Sequence, residues 1–101
     1  MESSPGARVP TDAELARLAA TAETAADHRA LDGYFTVLAA RYDREANESA
    51  AYAKTWRGMT RNPSAPGVAA RWDRLARQQR EAATDARAAA AMHKEQATRA
   101  K

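Results

Sequence analysis

The chain has 101 residues, 28 of them Ala but only 5 Leu, 3 Val, one Phe and no Ile, with a formal net charge of +3. That length holds at most one small domain, and so few large aliphatics build only a thin core. The absence of Cys excludes disulfides, thiolate metal sites and cysteine nucleophiles, and no apolar run approaches the roughly 20 residues needed to cross a bilayer.

Such a lean composition resembles that of disordered chains, but alanine reverses the inference. It has the best intrinsic helix propensity and almost no side-chain entropy to lose on ordering. The expectation is therefore ordered helices around a thin core, which favours self-association.

Residues 1–10, MESSPGARVP, read as a polar leader broken by two prolines and a glycine. Thr11 opens T-D-A-E, a capping box that starts a short amphipathic helix over about 12–23 with Leu15 and Leu18 on one stripe. A second cap, Thr24 followed three positions later by Asp27, favours a break near 24–27 over one uninterrupted helix from 12 to 57.

The second helix, about 27–57, carries an apolar seam through Leu31, Phe35, Leu38, Tyr42, Glu45 or Ala46, Ser49, Tyr52 or Ala53, and Trp56. Its alternating steps of four and three suit a face packed on one neighbouring helix. Gly33 weakens that helix by about 1 kcal/mol relative to alanine. Tyr34 and Val37 lie off the seam and need cover, which Leu15 and Leu18 are placed to provide, either within the chain or across a dimer.

Residues 58–66, GMTRNPSAP, form the connection, ended by Asn62-Pro63 and Ala65-Pro66. The third helix, about 67–100, repeats the seam through Val68, Trp72, Leu75, Gln79, Ala82, Ala86, Ala89 and His93. Folding the chain about residue 62 sets Phe35 opposite Ala89, Leu38 opposite Ala86, Tyr42 opposite Ala82, and Trp72 beside Tyr52 and Ala53. Large side chains then meet alanine, so the axes can approach closely. The resulting expectation is an all-α single domain over 11–101: a short helix, then a long antiparallel hairpin that pairs with a second copy into a four-helix-type bundle.

Both histidines continue the seams. In this register His93 faces Leu31, one turn from His28, and a shift of three brings the two imidazoles into direct opposition. With Asp27, Met92 and Glu95 nearby, they form a candidate site for copper, zinc or nickel. Against it stand the missing third histidine and the absence of an HxxxH or ExxH pair on one helix. The bland alternative is a pair of seam histidines hydrogen-bonded to their neighbours. Aromatics at helical spacing read as core, and Arg71, Arg74, Arg77 and Arg80, interleaved with Asp73 and Glu81, read as a solvated face and not a nucleic-acid surface. There is no Gly-rich phosphate loop, nucleophile motif or carboxylate pair in an apolar setting, so no enzyme is expected.

The runs A-D-H-R-A-L-D-G-Y-F at 26–35, R-Y-D-R-E-A at 41–46 and D-R-L-A-R-Q-Q-R-E-A-A at 73–83, with M-H at 92–93, resemble small, alanine-rich, often exported bacterial helical-hairpin proteins of unassigned function. The resemblance covers about residues 24–97 and implies export to the periplasm, although no signal peptide is visible in the chain. In that group further histidines, and a cysteine after one of them, sit early in the last helix. Here those positions are Ala70-Arg71-Trp72, so any ligand set that the group uses is incomplete. The function expected is a non-enzymatic binding or assembly module that self-associates as a homodimer. The alternatives are a metal-binding protein using His28 and His93, and a periplasmic chaperone or adaptor for extended partners.

Overall fold

A computed structural model describes residues 11–100; the leader expected at 1–10 lies outside the described residues. The protein is all-α, with α1 at Asp12–Thr21, α2 at Ala25–Arg57 and α3 at Ala65–Arg99, and no strand among the described residues.

The first helix begins where its cap predicts. The Glu14 amide donates to Thr11 Oγ1 (3.1 Å) and the Thr11 amide donates to Glu14 Oε1 (2.9 Å), so two otherwise orphaned donors are satisfied reciprocally. At the other end Thr21 Oγ1 donates to the Arg17 carbonyl, and Ala22 turns extended with ψ of 119°. The break expected near 24–27 is present. The Asp27 amide donates to Thr24 Oγ1, and Asp27 Oδ2 accepts from the amides of Thr24 and Glu23. These bonds hold Thr24 as an N-cap, so α2 begins at Ala25, two residues earlier than expected.

Two amide bonds from Gly58, to the carbonyls of Lys54 and Thr55, close α2. In the connection the Asn62 side chain accepts from the Ser64 amide (2.9 Å), a turn that asparagine forms readily. The third helix then starts at Ala65, two residues before the expected boundary. Pro66 therefore lies inside its first turn, where an amide hydrogen has no intrahelical partner in any case. Pro63 lies within the connection, beyond the end of α2, and Pro66 helps to start α3.

The chain divides into two compact units, one of Met1–Val37 with Arg87–Lys101 and one of Leu38–Ala86. In the Leu38–Ala86 unit α2 and α3 pack against each other as a hairpin. Its buried residues are Ala39, Ala46 and Ala53 on α2 and Ala65, Ala69, Ala76, Ala83 and Ala86 on α3, together with Ser49. The alanines 39, 46 and 53, and again 69, 76 and 83, recur every seven residues. Buried alanine at one heptad position of both helices lets the backbones approach closely.

This corrects the expected seam. The row of Trp72, Gln79 and Ala86 is right, but its companion row is Ala69, Ala76 and Ala83, one position beyond the expected Val68, Leu75 and Ala82. Leu75 is 36% exposed and Val68 only half-buried. On α2 the alternatives resolve to Ala46 and Ala53, with Tyr52 55% exposed, and Ala39 takes the place expected for Leu38, which is half-buried. The physical reason is size: the smallest apolar row gives the closest helix approach and the densest contact, and the larger side chains are displaced to its edge.

Ser49, almost fully buried, donates from Oγ to Gln79 Oε1 at 2.8 Å, so the one polar pair in this seam is satisfied. Tyr52 and Trp72 meet as expected, with ring centroids 4.9 Å apart.

Candidate functional site

The unit formed by Met1–Val37 and Arg87–Lys101 has a different core. Leu31 is the largest fully buried side chain among the described residues, and Ala90 and Ala97 of α3 are buried with it. So are both histidines, His28 at 9% and His93 at 8% exposure.

The expected approach of the two imidazoles is realised: His28 Nδ1 and His93 Nδ1 lie 3.1 Å apart. His93 also lies parallel to the Phe35 ring, with centroids 5.9 Å and planes 3° apart. His93 thus contacts residues three before and four after Leu31, as a knob does when seated among four side chains of a facing helix. Tyr34 completes the aromatic cluster, edge-on to Phe35 at 5.2 Å. Val37 is 59% exposed within the single chain, so α1 of the same chain does not cover it.

The direction of the imidazole contact decides its chemistry. Each ring nitrogen lies about 1.15 Å from its ring centroid, so two rings meeting end to end through this contact have centroids about 5.4 Å apart. The measured separation is 5.3 Å, with planes only 23° apart. The rings are therefore nearly collinear, and the two Nδ1 positions point at one another. One ring donates an N–H and the other accepts it, which fixes the acceptor as the tautomer protonated at Nε2.

That is the geometry of a shared hydrogen, not of a chelate. A metal at about 2.0–2.1 Å from two imidazoles on a straight line would need the nitrogens about 4 Å apart. A bent chelate would need both rings turned off their common line. The arrangement joins the first turns of α2 to the last turns of α3 by one hydrogen bond between neutral rings, or by a stronger bond when one ring carries a charge.

Two of the three proposed helpers of a metal site are engaged otherwise, and the third, Met92, is half exposed. Asp27 Oδ2 caps α2, and its carboxyl is held below the usual range first by the Glu23 amide, then by the Thr24 amide. The charge of His28 adds only a smaller lowering. Glu95 pairs with Arg99 on its own helix at 3.5 Å, and the Met92 side chain is 49% exposed. Among the described residues no group of three or more His, Cys, Asp or Glu is placed to hold a metal ion.

The pair does have two attendants that the sequence reading passed over. Asp32, four residues after His28, acts on His93 by charge, and Gln96, three residues after His93, acts on it as a polar side-chain neighbour. Both favour a protonated His93, but burial and then the charge of His28 outweigh them, so its pKa is held below the ordinary 6.5. Helical spacing from each histidine was the available signal for both.

The Leu38–Ala86 unit offers a second candidate, a surface. Tyr52, Met59 and Leu75 are exposed, while every buried apolar residue of that unit is an alanine. No protein family matches the chain, and neither a curated protein nor a solved structure shows detectable similarity to it.

Proposed function

We propose that this protein is a non-enzymatic helical assembly module that associates with a second copy of itself through its helices. One observation carries the reading. The Leu38–Ala86 unit fully buries only alanine among its apolar residues and leaves three larger apolar side chains, Tyr52, Met59 and Leu75, at the surface, with Leu38, Tyr42, Trp56, Val68 and Trp72 half-buried. A buried alanine withdraws little apolar area from water, and about 25 cal/mol per Å² applies only to area withdrawn. Tyr52, Met59 and Leu75 could contribute more, and a second copy would bury them.

The experiment is a thermal melt followed by circular dichroism over a hundredfold range of protein concentration. Self-association stabilises by mass action, so the melting temperature should climb with concentration. A melting temperature independent of concentration, with a monomeric mass throughout, would contradict the proposal.

A further inference from the structure

We infer that the second copy docks on one particular face of the hairpin, the face bearing Leu38, Glu45 and Tyr52 of α2 and Val68, Leu75 and Ala82 of α3, in an antiparallel two-fold arrangement. The inference rests on the self-association reading above and names the surface that it uses.

The two flanks of the Leu38–Ala86 hairpin differ in chemistry. With the buried alanine rows facing each other, the residue immediately before each alanine falls on one flank of an antiparallel pair, on both helices alike. Those residues are Leu38, Glu45 and Tyr52, and Val68, Leu75 and Ala82. The Tyr52–Trp72 ring contact lies across the same flank. The opposite flank is polar and already cross-linked, by Arg57 to Asp73 and by Arg80 Nη1 to Asn47 Oδ1. Only the first flank is apolar, and its side chains are half-buried or exposed.

Charge complementarity selects a second copy as the occupant. Three residues beyond the apolar row, on its outer rim, α2 carries Arg41 and Glu48 and α3 carries Arg71, Gln78 and Asp85, all exposed. On each helix a basic and an acidic residue stand on either side of a midpoint, near Glu45 on α2 and at Gln78 on α3. A two-fold axis through those midpoints lays α2 antiparallel on the α2 of the second copy and α3 on its α3. Arg41 of one copy then meets Glu48 of the other, and Arg71 meets Asp85, each pair occurring twice. The contacts Tyr52–Trp72 and Ser49–Gln79 offset the two midpoints by about 2 Å and about 8 Å, on average one helical turn, an offset that the long arginine side chains can span, so a single axis can serve both. A parallel arrangement would instead set Arg41 on Arg41 and Glu48 on Glu48. The pattern is self-complementary, as an isologous interface requires. Glu45, the one charge in the apolar rows, meets its own copy at the axis.

The test uses the full chain. Sedimentation equilibrium compares the wild type with Arg41→Glu, the double exchange Arg41→Glu/Glu48→Arg, and Glu45→Gln. The single reversal should weaken the dimer by about tenfold and the double exchange should restore it to within about threefold. Glu45→Gln should tighten it by removing the self-repulsion at the axis. Because the chain has no native cysteine, Glu45→Cys should couple to its own copy with a short bismaleimide, whereas the outward Ala51→Cys should not. A wild-type dimer unaffected by Arg41→Glu and not coupled at position 45 would overturn the assigned face while leaving self-association intact. A wild type that stays monomeric at all concentrations would overturn both, and would leave the face to a foreign partner.

Discussion

Ala83 tests the alanine seam by the sign of a single substitution. It has no exposed surface, and it lies between Ala76 and Ala90 in a row buried throughout. Ala83→Leu adds three carbons. If the helices had room to take them, burial at about 0.8 kcal/mol per methylene would stabilise the fold by roughly 2 kcal/mol. If the seam is closed as described, the added carbons force the axes apart or the side chain off its rotamer, at a cost of about 1–3 kcal/mol. For a domain near 100 residues that cost lowers the melting temperature by on the order of 5–20 °C. Ala82→Leu, one position away on the half-buried edge, should change stability much less. The assay is urea unfolding by circular dichroism at fixed protein concentration, with both slope and midpoint fitted. A rise in the midpoint for Ala83→Leu, or a larger loss for Ala82→Leu, would refute the seam described here and restore the row first expected from the sequence.

Three further outcomes follow from the same geometry. His93 has its pKa held below the ordinary 6.5, so the unfolded chain binds the proton more readily; stability should be level above that pH and fall as the pH drops through the folded value. A pH series of melts should show this loss well above the region below 3.8 where Asp27 contributes, and His28→Leu/His93→Leu should flatten it. Gly33 sits within α2 with no atom within 4 Å of an added Cβ, so Gly33→Ala should stabilise by about 0.5–1 kcal/mol, read from the same urea titration. Cu(II), Zn(II) and Ni(II) should leave the melting temperature unchanged at low excess, because chelation would first break the Nδ1–Nδ1 hydrogen bond; a metal-induced rise lost in both His28→Ala and His93→Ala would show that the rings turn to bind.

The helical elements were legible because they rest on local chemistry. Thr11 with Glu14, and Thr24 with Asp27, are caps whose spacing alone specifies where a helix starts. The meeting of the two histidines was legible too, since a short connection leaves little freedom in the register of an antiparallel pair. What misled was residue size. Leu38, Val68 and Leu75 attract attention as core, and each is adjacent to an alanine at the same helical period. Which of two neighbouring rows faces inward depends on how closely two backbones can approach, a property of the pair and not of either helix. The same limit applies to the candidate metal ligands. Asp27, Met92 and Glu95 are close to the histidines in sequence, but competing partners, the α2 cap for Asp27 and Arg99 for Glu95, engage two of them, and Met92 is half exposed.

Self-association is the claim on which the functional reading depends, and the mass of the wild-type chain in solution tests it most directly. Sedimentation equilibrium at neutral pH should give a mass that climbs from that of the 10.9 kDa monomer and levels at twice that value as concentration increases. A mass that stays at 10.9 kDa up to millimolar protein would contradict the account.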